Sequence, residues 1–264
     1  MLSMPDNLRK YKLGMSLHYN PGFSDELKQK LTLEQFDTIQ LASAEDICRV
    51  PENIFEDIDI SNQFQSNLPK TIFRQRDKIK DSFFKEFDEL LEKLPQNVTS
   101  LTFDFDLESG FRNEKIYRAQ LDFIRLLSRY FFYRNITLNL PVRIPAAGTD
   151  FSHRFPRVIQ DIFTGKTRLS IDIHPHELNS GTPPEQLMKH YSFDLGVIRF
   201  IYEPEAGNKL VKSNLKPWFD YLDEIAFTGK IYFTPITGNQ EVFAGAAVAA
   251  AELLEELVYS YPTG

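Results

Sequence analysis

The sequence predicts a closed (β/α)8 barrel folded as a single domain. Three observations carry that expectation. Strand-length segments recur eight times, helix-length stretches separate them, and the strands are apolar on one parity and polar on the other. In Leu101-Thr102-Phe103-Asp104-Phe105-Asp106-Leu107-Glu108 the even positions are polar and the odd ones apolar, and Arg168 to His174 and Ile136 to Leu140 repeat the pattern. Successive strand side chains point to opposite faces, so each segment has one oily and one polar face. Strands alternating with helices form parallel sheets, which normally read as continuous Val/Ile/Leu because both faces are covered. A polar face therefore needs a special interior, and the mouth of a closed barrel supplies one. The 264 residues match the roughly 250 that such barrels occupy.

Element by element, the first strand is expected at Lys12 to Tyr19, followed by a helix from Ser24, an N-cap residue type, to Leu33. The second strand is Phe36 to Ala42. The stretch 43–79 is the least regular, with a weak third strand at Asp57 to Ser61. Without that strand the ring would have seven strands or open into a doubly wound sheet. A helix at Asp77 to Leu94 precedes the fourth strand, Thr99 to Leu107, and a helix at Asn113 to Tyr133 precedes the fifth, Ile136 to Ile144. A helix at Ser152 to Thr164 stops at Gly165, a C-terminal signal. The sixth strand is Arg168 to His174, with His176 and Glu177 in the loop beyond Pro175. Pro183-Pro184 opens a short helix to Tyr191, and the seventh strand is Gly196 to Tyr202. A helix at Asn208 to Phe227, the eighth strand at Lys230 to Pro235 and a helix at Glu241 to Tyr259 complete the chain.

Composition narrows the functional class. A net charge of −7 argues against a nucleic-acid partner, since phosphate backbones are gripped by clustered Lys and Arg. Cys48 is the single cysteine, so no internal disulfide can form and a cytoplasmic location is the default expectation. Residues 1–12 have no apolar core of a secretory signal, and the Ala-rich segment Phe243 to Val258 is broken by Glu252, Glu255 and Glu256, which excludes a membrane span there. No Walker or dinucleotide glycine pattern and no serine nucleophile elbow is present.

Barrel active sites lie at the C-terminal ends of the strands. Taking the polar parity as inward gives Ser16, His18, Gln40, Asp59, Ser61, Asp104, Asp106, Asn139, Arg143, Asp172, His174, His176, Arg199, Glu203, Tyr232 and Thr234. Carboxylates, imidazoles, an amide and arginines from separate strands would converge on one mouth. The densest segment is Asp172-Ile173-His174-Pro175-His176-Glu177. Asp172 and His174 share one strand face and suit a divalent ion if another strand adds a ligand, with Asp104, Asp106 and Glu203 available. Arg199 is equally placed to form a structural ion pair with Asp172 or Asp104. Two loops entering helices, Glu205 to Lys209 and Thr237 to Gln240, are candidate phosphate or carboxylate sites.

On these segments the chain resembles the xylose-isomerase-like barrels, the superfamily of sugar phosphate isomerases/epimerases and apurinic endonucleases. Phe36 to Leu41 is similar to the family's second strand, Asp57 to Leu68 to its third strand and loop, and Arg74 to Phe105 to the helix and fourth strand. Leu169 to His174 is similar to the sixth strand, ending in Asp and then His. The resemblance implies a divalent metal held by carboxylates and a His from several strand ends. At the corresponding positions this chain has Asn139 for a Glu, Asp172 for the Asp, and Pro175 between His174 and His176 for a His. Arg199 stands for another His and Thr234 for a Glu. A cation in place of a ligand repels a metal and suits a carboxylate or phosphate.

The expected function is isomerisation or epimerisation of a small sugar or polyol by proton abstraction next to a carbonyl. Asp104, Asp172 and Glu203 are the candidate bases, His174 is the acid/base partner, and Arg199 steadies the enolate. Asp106, Asn139, Arg143, His18, His176 and Thr234 are expected to contact the substrate. The alternative is a metal-free, non-catalytic barrel that binds a metabolite or a protein partner.

Overall fold

A computed structural model describes residues 11–19, 36–42, 46–47, 50, 55–61, 85, 88–89, 91–92, 94–103, 113–142, 157, 160, 166–188, 191, 194–207 and 210–259. Eight parallel strands close into a barrel in sequence order: β1 (Lys12–Ser16), β2 (Thr38–Leu41), β3 (Asp57–Ile60), β4 (Val98–Thr102), β5 (Thr137–Val142), β6 (Thr167–Ile173), β7 (Leu195–Tyr202) and β8 (Lys230–Pro235). The ring shuts through β1 and β8, where Gly14 lies opposite Tyr232. The weak third strand forms and joins β2 to β4, so the sheet is neither seven-stranded nor open.

Several boundaries differ from the sequence expectation. The first strand stops at Ser16 because His18 and Tyr19 turn away once the ladder with β2 ends. The fourth stops at Thr102 and the fifth at Val142; what was expected beyond 103 and 142 lies outside the described residues, as do the expected helix Ser24 to Leu33 and Cys48. His176 and Glu177 are not in a loop. They belong to a short helix, α2 (Pro175–Leu178), because Pro175 presets a helical φ at the first position and the Glu177 carboxylate accepts from the His174 backbone N–H at 2.7 Å.

The apolar strand residues Leu13, Met15, Ile39, Leu41, Ile58, Ile60, Leu101, Leu138, Leu140, Leu169, Ile171, Phe200, Ile231 and Phe233 are buried on the outer face of the barrel. Helix α1 (Glu114–Phe132) buries Tyr117, Leu121, Ile124, Leu127 and Phe131, a stripe at i, i+4, i+7 spacing. Asn113 opens it by accepting the Lys115 N–H, and a left-handed Asn135 follows its end. Helix α3 (Pro184–Met188) follows α2. Helices α4 (Lys212–Glu224) and α5 (Gln240–Tyr259) cover β7 and β8 with Leu215, Trp218, Leu222, Phe243 and Ala247. Among the described residues no helix is long and apolar enough to cross a membrane.

The opposite strand faces fill the barrel, and most of their residues are small or polar, including Gly14, Ser16, Ser100, Thr102, Asn139 and Ser170, with Val197 and Ile201 on β7 as apolar members. Barrel interiors are more often packed with Val, Ile and Leu. The floor is an ion network, with Lys12 bonded to Asp57 and Lys230 to Asp59 and the Thr99 hydroxyl. Above it the Tyr232 phenol meets the Thr38 hydroxyl at 2.9 Å, and full burial raises the Tyr232 pKa well above that of a free phenol. Stagger between tilted strands groups alternate strands into layers. On the observed pairing, Gln40, Thr102, Ser170 and Tyr232 share one layer, and Ser16, Ser61, Pro141 and Arg199 the next towards the mouth.

Closure depends on a bare backbone at Gly14. A Cβ there would sit 2.2 Å from the Thr38 carbonyl oxygen and 2.7 Å from its Cγ2. Gly14→Ala is expected to cost about 2–4 kcal/mol by forcing β1 and β2 apart, a size usual for overpacking within a core. Gly245→Ala, in open space on α5, should gain roughly 0.5–1 kcal/mol through helix propensity. Urea denaturation of the two variants checks both, and equal stabilities would contradict the assigned register.

Candidate functional site at the barrel mouth

The mouth is built around one ion pair. Arg199 on β7 and Asp172 on β6 face each other across the ladder, and Arg199 Nε donates to Asp172 Oδ1 at 2.6 Å. The guanidinium is only 2% exposed and the carboxylate 21%, so the pair lies inside the lumen with the carboxylate on the solvent side. On its other flank Arg199 Nη1 points to Gln40 Oε1 at 3.5 Å, and that oxygen also accepts the Ser16 hydroxyl at 2.7 Å. Nη2 donates to no described residue.

His18 stands where β1 turns out of the barrel. Its Nδ1 lies 2.8 Å from Ser61 Oγ, whose own proton is directed to the Leu41 carbonyl at 3.2 Å. A hydroxyl has one proton to give, so His18 donates from Nδ1 and carries its lone pair on Nε2. Burial, reinforced by the positive charge of Arg199, pulls the His18 pKa down to about 3. The imidazole is therefore neutral throughout the ordinary pH range.

Around this pair the lumen presents polar atoms without partners. Gln40 Nε2, Thr102 Oγ1, Asn139 Oδ1, Ser170 Oγ and Thr234 Oγ1 are all buried and make no hydrogen bond. They come from β2, β4, β5, β6 and β8. Three of them form the layer directly beneath Arg199, Asn139 sits one step deeper, and Thr234 one step nearer the rim. Buried polar groups are rarely left unpaired, since each costs about 1–3 kcal/mol, so convergent orphans mark space for water or a polar ligand.

The rest of the expected site lies on the rim. His174, Pro175, His176, Asn179 and Glu203 line an open recess of about 390 Å³. The His174 and His176 rings stack with centroids 5.8 Å apart, and Glu203 is exposed where β7 gives way to a 3-10 turn, Pro204–Ala206. Arg199, Asp172, Asn139, Thr234 and His18 thus gather in or at the lumen, while His174, His176 and Glu203 form a separate lip. Asp104, Asp106 and Arg143 lie outside the described residues. Of the two candidate anion loops, Thr237 to Gln240 is occupied by the chain, and Asn208 and Lys209 of the other lie outside the described residues. Asn239 Oδ1 caps the first amides of α5, accepting from Glu241 N at 2.9 Å, and Thr237 Oγ1 donates to the Glu205 carboxylate at 2.9 Å. A cap already in place and a nearby carboxylate disfavour an anion there.

The lumen hydroxyls of Thr102 and Ser170 were not among the expected contacts. They have the same inward parity as Asn139 and Asp172, but Ser and Thr are also ordinary strand residues, so only closure of the ring reveals them. A divalent metal does not fit the described donor set. Among the described residues the Asp172 carboxylate is engaged by a guanidinium, Asn139 and Thr234 are neutral, and no group of three or more His, Cys, Asp or Glu is placed to hold an ion.

The closed ring of eight parallel strands with a polar mouth defines an α/β barrel. More specifically, its architecture is that of the xylose-isomerase-like barrels. Similar solved structures include D-psicose 3-epimerase from Clostridium cellulolyticum H10, with a TM-score of 0.65 and 10% identity, covering 94% of this chain and 98% of that one. L-ribulose 3-epimerase matches with a TM-score of 0.59 and 12% identity, over 96% and 100% of the two chains. A xylose isomerase domain containing protein from Salmonella typhimurium LT2 matches with a TM-score of 0.56 and 12% identity, over 96% and 99%. No protein-family model and no curated protein matches the sequence.

The His18 environment gives a direct check. Its folded pKa lies below the unfolded value near 6.5, so between about pH 6.5 and 3 the unfolded chain binds a proton that the native protein does not. Stability should therefore fall as the pH drops through that window. In a histidine NMR titration the His18 signal should show no step above about pH 4; a step near 6.5 would contradict the buried, Nδ1-bonded ring.

Proposed function

We propose that the mouth binds a small, uncharged, hydroxyl-rich carbonyl compound of the sugar or polyol kind and isomerises or epimerises it by moving a proton next to the carbonyl. The orphaned polar atoms from five strands carry this reading. A sugar hydroxyl both donates and accepts, so a row of hydroxyls can serve the Gln40 amide, the Asn139 carbonyl oxygen and the Thr102, Ser170 and Thr234 hydroxyls together. The Arg199–Asp172 pair is neutral as a unit, which favours an uncharged ligand over a phosphorylated one. Sugar 3-epimerases among the structures of the same architecture support the reaction class.

In the proposed reaction a carboxylate, Asp172 or Glu203, takes the proton from the carbon beside the carbonyl, and His174 on the rim exchanges protons with the substrate oxygens. Asp104 remains a third candidate base from the sequence. One observation favours a second reading, a barrel that binds such a metabolite without turnover: the Asp172 oxygen nearest the lumen is already bonded to Arg199.

Incubation with a panel of ketoses and aldoses in D2O, followed by NMR, tests the proposal. Deuterium should enter the carbon next to the carbonyl of a bound sugar, and Asp172→Asn or His174→Gln should slow that entry about 100-fold or more. Thr102→Val and Ser170→Ala should weaken binding roughly tenfold each by removing one hydrogen bond. Sugar-dependent thermal stabilisation without exchange would favour the binding-only reading. No stabilisation by any sugar would overturn both.

A further inference from the structure

The mouth contains a fixed cation of its own. We propose that the Arg199 guanidinium does the electrostatic work at the substrate carbonyl oxygen that the fold's resemblance assigns to a divalent metal, and that this mouth operates without such an ion. The inference rests on the proton-transfer reading above and adds what stabilises its intermediate.

Three features of the geometry support it. Arg199 is buried and held on two sides, by Asp172 at 2.6 Å and by Gln40, itself anchored by Ser16, so its orientation is set before a ligand arrives. Its Nη2 hydrogens have no described acceptor, and the orphaned groups of Gln40, Thr102 and Ser170 lie in the layer just beneath. The same centre is hostile to a metal. A guanidinium is permanently charged, it occupies the Asp172 carboxylate beside it, and Asn139 offers a carbonyl whose amide is committed to Ser100 at 2.8 Å. A second cation a few ångströms away in a lumen of low polarisability would be strongly repelled.

The chemistry balances with no oxidant or ion. The C–H bond beside the carbonyl breaks and its proton passes to a carboxylate oxygen. The C–H electron pair becomes the new C=C bond while the carbonyl π pair moves to oxygen, and the N–H groups of Arg199 hold that oxyanion. Return of a proton to the opposite face of the same carbon reverses the electron flow and gives the epimer; the isomer forms when the oxyanion takes a proton through His174, the hydroxyl on the neighbouring carbon gives one up, and the former carbonyl carbon is protonated as the new carbonyl forms. Arg199 touches the reacting oxygen throughout and is neither consumed nor deprotonated.

The test uses the full chain, with circular dichroism melts to confirm that each variant folds. Isothermal titration and electron paramagnetic resonance with Mn2+ should show no stoichiometric binding, and deuterium exchange should survive dialysis against EDTA. Arg199→Met should lower exchange about 100-fold or more, with Arg199→Lys retaining part of it. The same Arg199→Met variant should raise the pH at which His18 titrates, because a neighbouring positive charge has gone. Stoichiometric Mn2+ binding by the native protein, or exchange that EDTA abolishes and Mn2+ restores, would overturn the proposal. So would an Arg199→Met variant that exchanges at the native rate, or one that leaves His18 unmoved. The Mn2+ and His18 measurements need no sugar, so they decide on the cation even if no tested sugar reacts.

Discussion

A buried guanidinium must be paired, and the pairing of Arg199 with Asp172 organises the upper half of this barrel. Removing a charged group from water costs several kcal/mol, which is recovered only with good geometry and further hydrogen bonds. Asp172 supplies the countercharge from the adjacent strand, and Gln40 and Ser16 supply the second flank from across the lumen. The pair also acts on its surroundings, since the charge of Arg199 adds to burial in keeping His18 neutral. Strands β1, β2, β6 and β7 are thereby tied to one centre.

The lower half solves a related problem differently. Lys12, Asp57, Asp59 and Lys230 neutralise one another at the floor, with Lys12 still partly in solvent and Asp59 fully buried. The Tyr232 phenol and Thr38 hydroxyl separate this floor from the mouth. Between the two charged layers lie short side chains on β4, β5 and β6. The lumen is therefore largely polar, and most of its unsatisfied groups lie in its middle and upper part, where a ligand entering from the rim would arrive. Stability comes from elsewhere: the apolar parity of the strands packs against α1, α4 and α5, so polar substitutions inside the ring leave that outer core intact.

Solved sugar epimerases share this architecture, and the charge pattern at the mouth is what the proposed metal-free chemistry rests on. The same barrel positions can carry either a cage of ligands around an ion or a fixed guanidinium with one countercharge, because the backbone dictates where side chains converge and not what they are. The separation between the lumen pair and the His174–His176–Glu203 lip has a local origin. Pro175 starts a helix immediately after β6, and Glu203 sits where β7 ends in a 3-10 turn, so both leave the barrel wall before the lumen is reached.

Strand parity and the count of eight units were legible from the sequence, because alternation is a local property: Leu169, Ile171 and Ile173 had to share one face, and Ser170 and Asp172 the other. The inward placement of Ser16, Gln40, Asp59, Asn139, Arg199 and Thr234 followed from that rule alone. The weak third strand needed its neighbours, since four residues, Asp57–Ile60, hold a strand only when paired on both sides. The helix at Pro175–Leu178 has no signature in the sequence, because four residues are too few for a periodic signal. Which residues meet across the ring was beyond the sequence: the choice of Asp172 as the partner of Arg199, and the layer shared by Gln40, Thr102 and Ser170, are fixed by strand stagger and closure. Local chemistry determined which face each residue takes; only the closed ring decided which of them became neighbours, because those contacts join strands separated by 27 residues at Asp172–Arg199 and by 159 at Gln40–Arg199.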